Sequence, residues 1–187
     1  MVTSLSPPSL VLDIELIPSN SWGNNLRSLL RGCTWDRLRK HTYQLANSKC
    51  EVCLSDGLQQ GRKHAVECHE IWEYDDINRI QLLKGLVALC PICHQCKHLG
   101  RTLGTGAGAR AVQHLATVNN MTLDETESYI NLAFYIHNLR SHGDAWVLDL
   151  NWLLNHDALT EQDVRDLPYN IEGVYLVDPS PTNQQER

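Results

Sequence analysis

The sequence predicts an α+β domain, with short strands in the middle of the chain and helices on either side of them. The chain has 187 residues, which is the size of one domain, and 42% of them are hydrophobic, enough for a buried core. Two central apolar runs, HAVECHEIW and LLKGLVALC, have the length of strands, whereas the segments 108–118 and 123–140 are typical of helices. These observations together favour a mixed fold.

The first 49 residues predict one strand and one helix. Polar and apolar residues alternate over 9–17, so residues 1–20 are expected to be an N-terminal strand segment. Residues 21–49 are expected to be a basic helical segment. Its helix is predicted over 34–47, and Thr34 is a suitable N-cap.

The expected core spans residues 50–104. Strands are predicted over 64–72 and 82–90, with the polar and acidic stretch 73–79 as a loop between them. A short helix is predicted over 91–100. The order of these elements is therefore strand, strand, helix.

The rest of the chain is expected to add helices and a closing strand. Residues 105–154 form a helical extension with a final strand, at 108–118, 123–140 and 146–154. The closing strand is similar in pattern to residues 9–17, and the two are candidates for pairing. Residues 155–187 are expected to be an acidic, partly disordered tail.

Four of the seven cysteines form two CxxC pairs separated by 36 residues, Cys50 with Cys53 and Cys90 with Cys93. Each pair wraps a turn that brings two sulfurs to one ion, and four thiolates complete a closed tetrahedron around zinc. Because this arrangement has no open position, the predicted zinc is structural. Metal thiolates indicate a reducing compartment, and no signal peptide or membrane span is recognisable, so the expected location is cytoplasmic.

Charge is distributed unevenly along the chain, although the net formal charge is −6. Residues 1–120 carry 13 Lys/Arg and 10 Asp/Glu, whereas residues 121–187 carry 3 and 12. A positive face on an acidic protein can still bind a phosphate backbone, and the simpler alternative is a solvated helix face. The acidic C-terminal region is a possible docking surface for a protein partner. The candidate nucleic-acid contacts are Arg27, Arg31, Arg37, Arg39, Lys97 and Arg101.

Histidines lie between and just after the cysteine pairs. His94 and His98 are four residues apart on a predicted helix, so both imidazoles share one face and can meet one metal ion. His69 lies on a predicted strand as a candidate base. Its neighbours include three groups that can bind metal, Glu67, Cys68 and Glu70.

These residues carry a family resemblance. The stretch CEVC…HAVECHEIWEYDD…GLVALCPICHQCKH, residues 50–98, resembles the HNH endonuclease family, and in particular bacterial and phage members with a CHE motif. Segments 21–28, 34–43 and 146–153 also resemble those proteins. The resemblance implies a ββα-metal (His-Me finger) fold on a structural zinc knuckle and a DNA endonuclease of the bacterial or phage-infected cell.

The resemblance also implies residue roles. His69 matches the general base, His94 the metal ligand and His98 a second histidine of some branches, with a catalytic ion such as Mg²⁺, Mn²⁺, Ni²⁺ or Zn²⁺. Cys68 stands where an Asp or His usually completes the metal site, and Glu67 or Glu70 is an alternative oxygen ligand. Gly85 stands where the family has its middle Asn.

A second function remains open on the sequence alone. The departures at Cys68 and Gly85, together with the acidic C-terminal third, are compatible with an HNH-shaped zinc protein that has lost its chemistry. Such a protein would act as a nucleic-acid or protein adaptor.

Overall fold

A computed structural model describes residues 10–168 and 174–175, and within this part the fold is mixed α and β, as the sequence predicts. The helices are α1 Leu26–Leu29, α2 Gly32–Leu45, α3 Pro91–Lys97, α4 Leu99–Leu103, α5 Gly108–Asn119, α6 Leu123–Arg140 and α7 Glu161–Arg165. The strands are β1 Glu67–Asp75, β2 Ile80–Leu89, β3 Val147–Asp149 and β4 Val174–Tyr175. Two 3₁₀ turns cover Ser19–Ser21 and Asn151–Asn155.

The sheet is built on an antiparallel hairpin of β1 and β2, with β3 parallel to β2 and β4 parallel to β3. The strand β1 continues through Asp75, so the expected loop 73–79 is only a tight turn. Asp75 stabilises this turn, because its carboxylate accepts the backbone N–H groups of Ile77 and Asn78, both at 3.0 Å. The pairing register skips Lys84, which produces a bulge opposite the middle of β1.

Alternating side chains of the hairpin enter two separate cores. One core packs the N-terminal segment and helices α3, α5 and α6 against the end of β2, around Leu12, Leu89, Leu99 and Leu115. The other packs α1, α2 and the chain after β3 against the opposite face, around Leu38, Trp72, Leu148 and Leu153. A one-residue shift along β1 therefore moves a side chain from one environment to the other.

The predicted strand over 9–17 is wrong within its described part, because residues 10–17 contain a bend at Val11 and Leu12 and pair with no strand. Their backbone groups are satisfied by other elements. Leu12 donates its N–H to the Asn119 side chain at 3.1 Å, Ile14 to the Tyr129 hydroxyl at 2.8 Å, and Glu15 to the carbonyl of Lys97 at 2.9 Å. The strand β3 consequently pairs with β2 and not with this segment.

The helices agree with the sequence better than the N-terminal segment does. The two long C-terminal helices lie where they are predicted, and Thr122 and Glu125 form the capping box of α6. The basic helix begins at Gly32 instead of Thr34. The helix expected over 91–100 is two helices, since the backbone leaves helical geometry at His98.

The acidic region after residue 155 is folded as far as it is described, and the disorder expected at its end falls on residues outside the described part. Helix α7 carries Asp163, which accepts a hydrogen bond from Thr34 at 2.9 Å and lies 3.2 Å from Arg37. Asp166 pairs with Arg31 at 2.8 Å. Residues 169–173 and 176–187 lie outside the described residues.

Candidate functional site

The two CxxC pairs meet at one point of the fold. Cys50 and Cys53 lie in the turn after α2, while Cys90 precedes α3 and Cys93 lies in its first turn. Glu51 connects the two pairs, because its N–H donates to Ala88 O at 2.9 Å and its carboxylate accepts Ala88 N–H at 2.6 Å. As a result the four sulfur atoms lie within 4.8 Å of one another.

This cysteine cluster is a possible metal-binding site, and its geometry is consistent with structural zinc. Tetrahedral Zn–S bonds place sulfur atoms about 3.8 Å apart. The sulfur of Cys53 lies 3.5 Å from that of Cys90 and 3.6 Å from that of Cys93. Three of the four residues are buried, and His114 Nε2 lies 3.1 Å from the Cys93 sulfur. The donor set is complete and closed.

A second cluster consists of three histidines. His69 projects from β1, His94 from α3, and His98 from the junction of α3 and α4. One ring nitrogen from each lies within 4.8 Å of the others, and Nε2 of His94 is 3.1 Å from Nε2 of His98. The structure therefore brings together all three histidines that the sequence singled out. Three imidazoles resemble the donor sets of catalytic metal sites, in which a water or substrate takes the fourth position.

Glu67 holds His94 from behind. Its carboxylate contacts Nδ1 of His94 through one oxygen and Nε2 of His64 through the other, the latter at 2.7 Å. These contacts, His94 first, lower the pKa of Glu67 to about 2. A carboxylate on Nδ1 leaves Nε2 of His94 free to bind a metal, which is how outer partners orient histidine ligands. Glu67 thus supports a metal ligand. The sequence offers a signal for this role, because Glu67 lies two residues before His69 and therefore on the same face of the strand.

The environment keeps the other two imidazoles neutral. Burial, together with the nearby His94 and Lys97, lowers the pKa of His69 to about 3. Burial, together with His69 and His94, lowers the pKa of His98 to about 3 as well. A neutral imidazole is the form that binds metal, so both groups are prepared for an ion.

Cys68 and Glu70 do not join the histidines, because they point to the opposite face of β1. The Cys68 thiol packs against Thr42, and burial raises its pKa to about 12. The Glu70 carboxylate accepts the N–H of Leu26 at 2.8 Å and the indole N–H of Trp72 at 3.1 Å. The structure thus places neither residue where it was expected as a ligand of the catalytic ion.

Gly85 lies on β2 opposite Ile71. A Cβ added there would meet Ile71 at 3.8 Å and Trp152 at 4.0 Å, both ordinary contacts. A residue with a Cβ atom would therefore fit at this position. A group that orients His69 must come from another part of the chain.

The candidate nucleic-acid contacts differ in their exposure and in their ion pairs. Four of the arginines are exposed, Arg27, Arg31, Arg37 and Arg101. Two of these form ion pairs, Arg31 with Asp166 and Arg37 with Asp163. Arg39 pairs with Asp36 in its own helix at 2.7 Å. The prediction that Lys97 contacts nucleic acid is wrong, because Lys97 is only 7% exposed and its Nζ lies 2.5 Å from Asp13. It is unavailable to a phosphate backbone.

The chain matches no protein-family model, no curated protein and no solved structure. Within the described residues, none of the helices is both long enough and apolar enough to cross a membrane.

Proposed function

We propose that the chain is a metal-dependent nuclease of the HNH type, which hydrolyses DNA phosphodiester bonds. The observation that carries this proposal is the convergence of His69, His94 and His98 on a strand–strand–helix unit whose helix starts at the cysteine cluster. The resemblance of residues 50–98 to the HNH family supports the same activity.

In this proposal His69 is the base, whereas His94 and His98 share the task of holding the metal. His69 takes a proton from water as the water oxygen bonds to phosphorus and the bond from phosphorus to the 3′ oxygen breaks. His94 and His98 hold a divalent ion, with Glu67 fixing the ring of His94. Such an ion supplies Lewis-acid stabilisation of the charge that develops on phosphate and leaving oxygen.

The donor set suggests which metal supports activity. The ligand atoms of this cluster are imidazole nitrogens, and Glu67 is occupied by two histidines. Imidazole suits zinc and nickel, whereas magnesium prefers carboxylate and carbonyl oxygen. We therefore expect nickel or zinc to support cleavage better than magnesium.

DNA would be held mainly through its phosphates. Exposed Arg101 lies one turn after His98, and Arg27 is exposed on α1. Contacts of this kind are electrostatic and weaken steeply with added salt. Lys97 takes no part in them.

The test is cleavage of supercoiled plasmid by purified protein with Mg²⁺, Mn²⁺, Ni²⁺ or Zn²⁺. Wild-type protein should nick the plasmid only with metal, and His69→Ala should lose roughly 10²- to 10⁴-fold in rate. His142→Ala is the control, because His142 is exposed. Absence of metal-dependent cleavage, or equal rates for His69→Ala and wild type, would refute the proposal.

A second candidate is a zinc-stabilised adaptor without chemistry. It is favoured by the burial of His69, whose pKa of about 3 makes it a weak base near neutral pH, and by Gly85. Metal analysis separates the two candidates. Two ions per chain, one of them lost in His94→Ala and His98→Ala, indicate the nuclease, whereas one zinc that survives both substitutions indicates the adaptor.

A further inference from the structure

We infer that Glu15, from the N-terminal segment, is the positioning residue for His69: its carboxylate takes the Nε2–H of that imidazole and leaves Nδ1 free. The inference rests on the proposed nuclease function for its catalytic consequence, and on geometry alone for the contact. It supplies the orienting group that Gly85 cannot provide.

The contact joins two buried groups, each of which keeps a polar atom that is not satisfied elsewhere among the described residues. Glu15 Oε2 lies 3.5 Å from His69 Nε2, and the two residues are 8% and 5% exposed. Nε2 of His69 and Oε1 of Glu15 are both buried without a hydrogen-bond partner. A shift of a few tenths of an ångström would convert the contact into a hydrogen bond, which each of these groups requires when it is buried.

The backbone around Glu15 fixes the carboxylate in this place. Its N–H donates to the carbonyl of Lys97 at 2.9 Å, and the preceding N–H, of Ile14, donates to the Tyr129 hydroxyl at 2.8 Å. The segment is thus attached to helices α3 and α6, next to the strand that carries His69. These contacts with helices take the place of pairing in the sheet.

Lys97 is the buried cation next to Glu15. Lys97 lies 2.5 Å from Asp13 and 3.7 Å from Glu15, so one buried cation is shared by two carboxylates. Burial raises the pKa of Glu15 to about 8, although Lys97 opposes that rise, so its carboxyl group binds a proton readily in the folded protein.

The test compares Glu15→Gln and Glu15→Leu with wild type. Gln keeps an oxygen that accepts Nε2–H, whereas Leu removes it while filling the buried space. For positioning, we expect kcat to fall roughly 10- to 100-fold in Glu15→Leu and less in Glu15→Gln, with KM and metal content unchanged. A purely structural role predicts instead that Glu15→Leu is tolerated at least as well as Glu15→Gln. The reason is that an apolar side chain then replaces a buried carboxyl group that has an unsatisfied oxygen.

Long-range ¹H–¹⁵N spectra of the histidine rings give a readout that does not depend on cleavage. Wild type should show His69 as the Nε2–H tautomer, and only Glu15→Leu should mix the tautomers while the signals of His98 stay in place. Asp13→Asn is the matched control, since it removes the other carboxylate on Lys97. An unchanged His69 tautomer in Glu15→Leu overturns the inference even if no variant cleaves DNA, and absent cleavage with a changed tautomer refutes only the proposed function.

Discussion

The cysteine and histidine clusters use neighbouring pieces of the same chain but are built differently. Both take residues from α3, and in each the ligand atoms all lie within 4.8 Å of one another. The cysteine cluster has four soft donors and no space for another ligand. The histidine cluster has three donors, two of them only partly buried, and carboxylates stand behind its rings.

This difference suits the cysteine cluster to a structural role and the histidine cluster to chemistry. Four thiolates are a complete ligand set for zinc, and an ion bound there would hold the start of α3 against the end of the hairpin and so contribute to folding. An ion held by His94 and His98 would keep coordination positions open, and outer partners such as Glu67 orient the ligand rings. The first cluster should therefore affect stability when it is altered, and the second should affect metal affinity and activity.

The largest expected effect breaks the cysteine cluster. Cys90→Ser should lose zinc and most of the folded structure, since structural zinc contributes on the order of 10 kcal/mol, comparable with the total stability of a domain. Circular dichroism during thermal unfolding and metal analysis by mass spectrometry measure both effects. Cys33→Ser is the control, because Cys33 is exposed and outside the cluster. A Cys90→Ser protein that melts like wild type would show that the cysteines hold no structural ion.

Local spacing made some features predictable from the sequence, and tertiary contacts made others unpredictable. The CxxC pairs and the four-residue spacing of His94 and His98 are local geometry, and the structure brings each set together. The alternation over residues 9–17 predicted a strand, yet alternation arises equally in an extended segment that packs between helices. The contact of Glu15 with His69 joins distant parts of the chain, so no local pattern could reveal it.

A smaller effect is expected from Glu67→Gln, which sharpens the comparison by altering only the support of His94. The amide retains the shape of the side chain but removes the charge that holds Nδ1–H. Affinity for the second metal should fall roughly 10- to 100-fold while the melting temperature of the zinc-loaded protein changes little. Isothermal titration with Ni²⁺ measures the affinity.

The matched control for this substitution is Glu73→Gln, on the same strand. Its side chain is 63% exposed and contacts Lys84 at 3.1 Å, away from the histidines. Equal nickel affinity in Glu67→Gln and wild type would contradict the supporting role of Glu67.

The smallest effect concerns Glu70, which faces away from both clusters and should act only on stability. Burial raises its pKa from 4.5 to about 7. The folded state thus binds the proton more tightly than the unfolded state, so Glu70 stabilises the fold fully below pH 4.5 and this contribution is lost as pH rises through 7. Glu70→Gln lacks this loss, and its stability relative to wild type should rise by about 1–3 kcal/mol between pH 5 and pH 8. Urea unfolding of zinc-loaded protein measures the difference, and a constant difference across this range would show that the Glu70 carboxyl is not shifted. Nickel affinity should be unchanged in Glu70→Gln, in contrast to Glu67→Gln, because alternate residues of β1 face different cores.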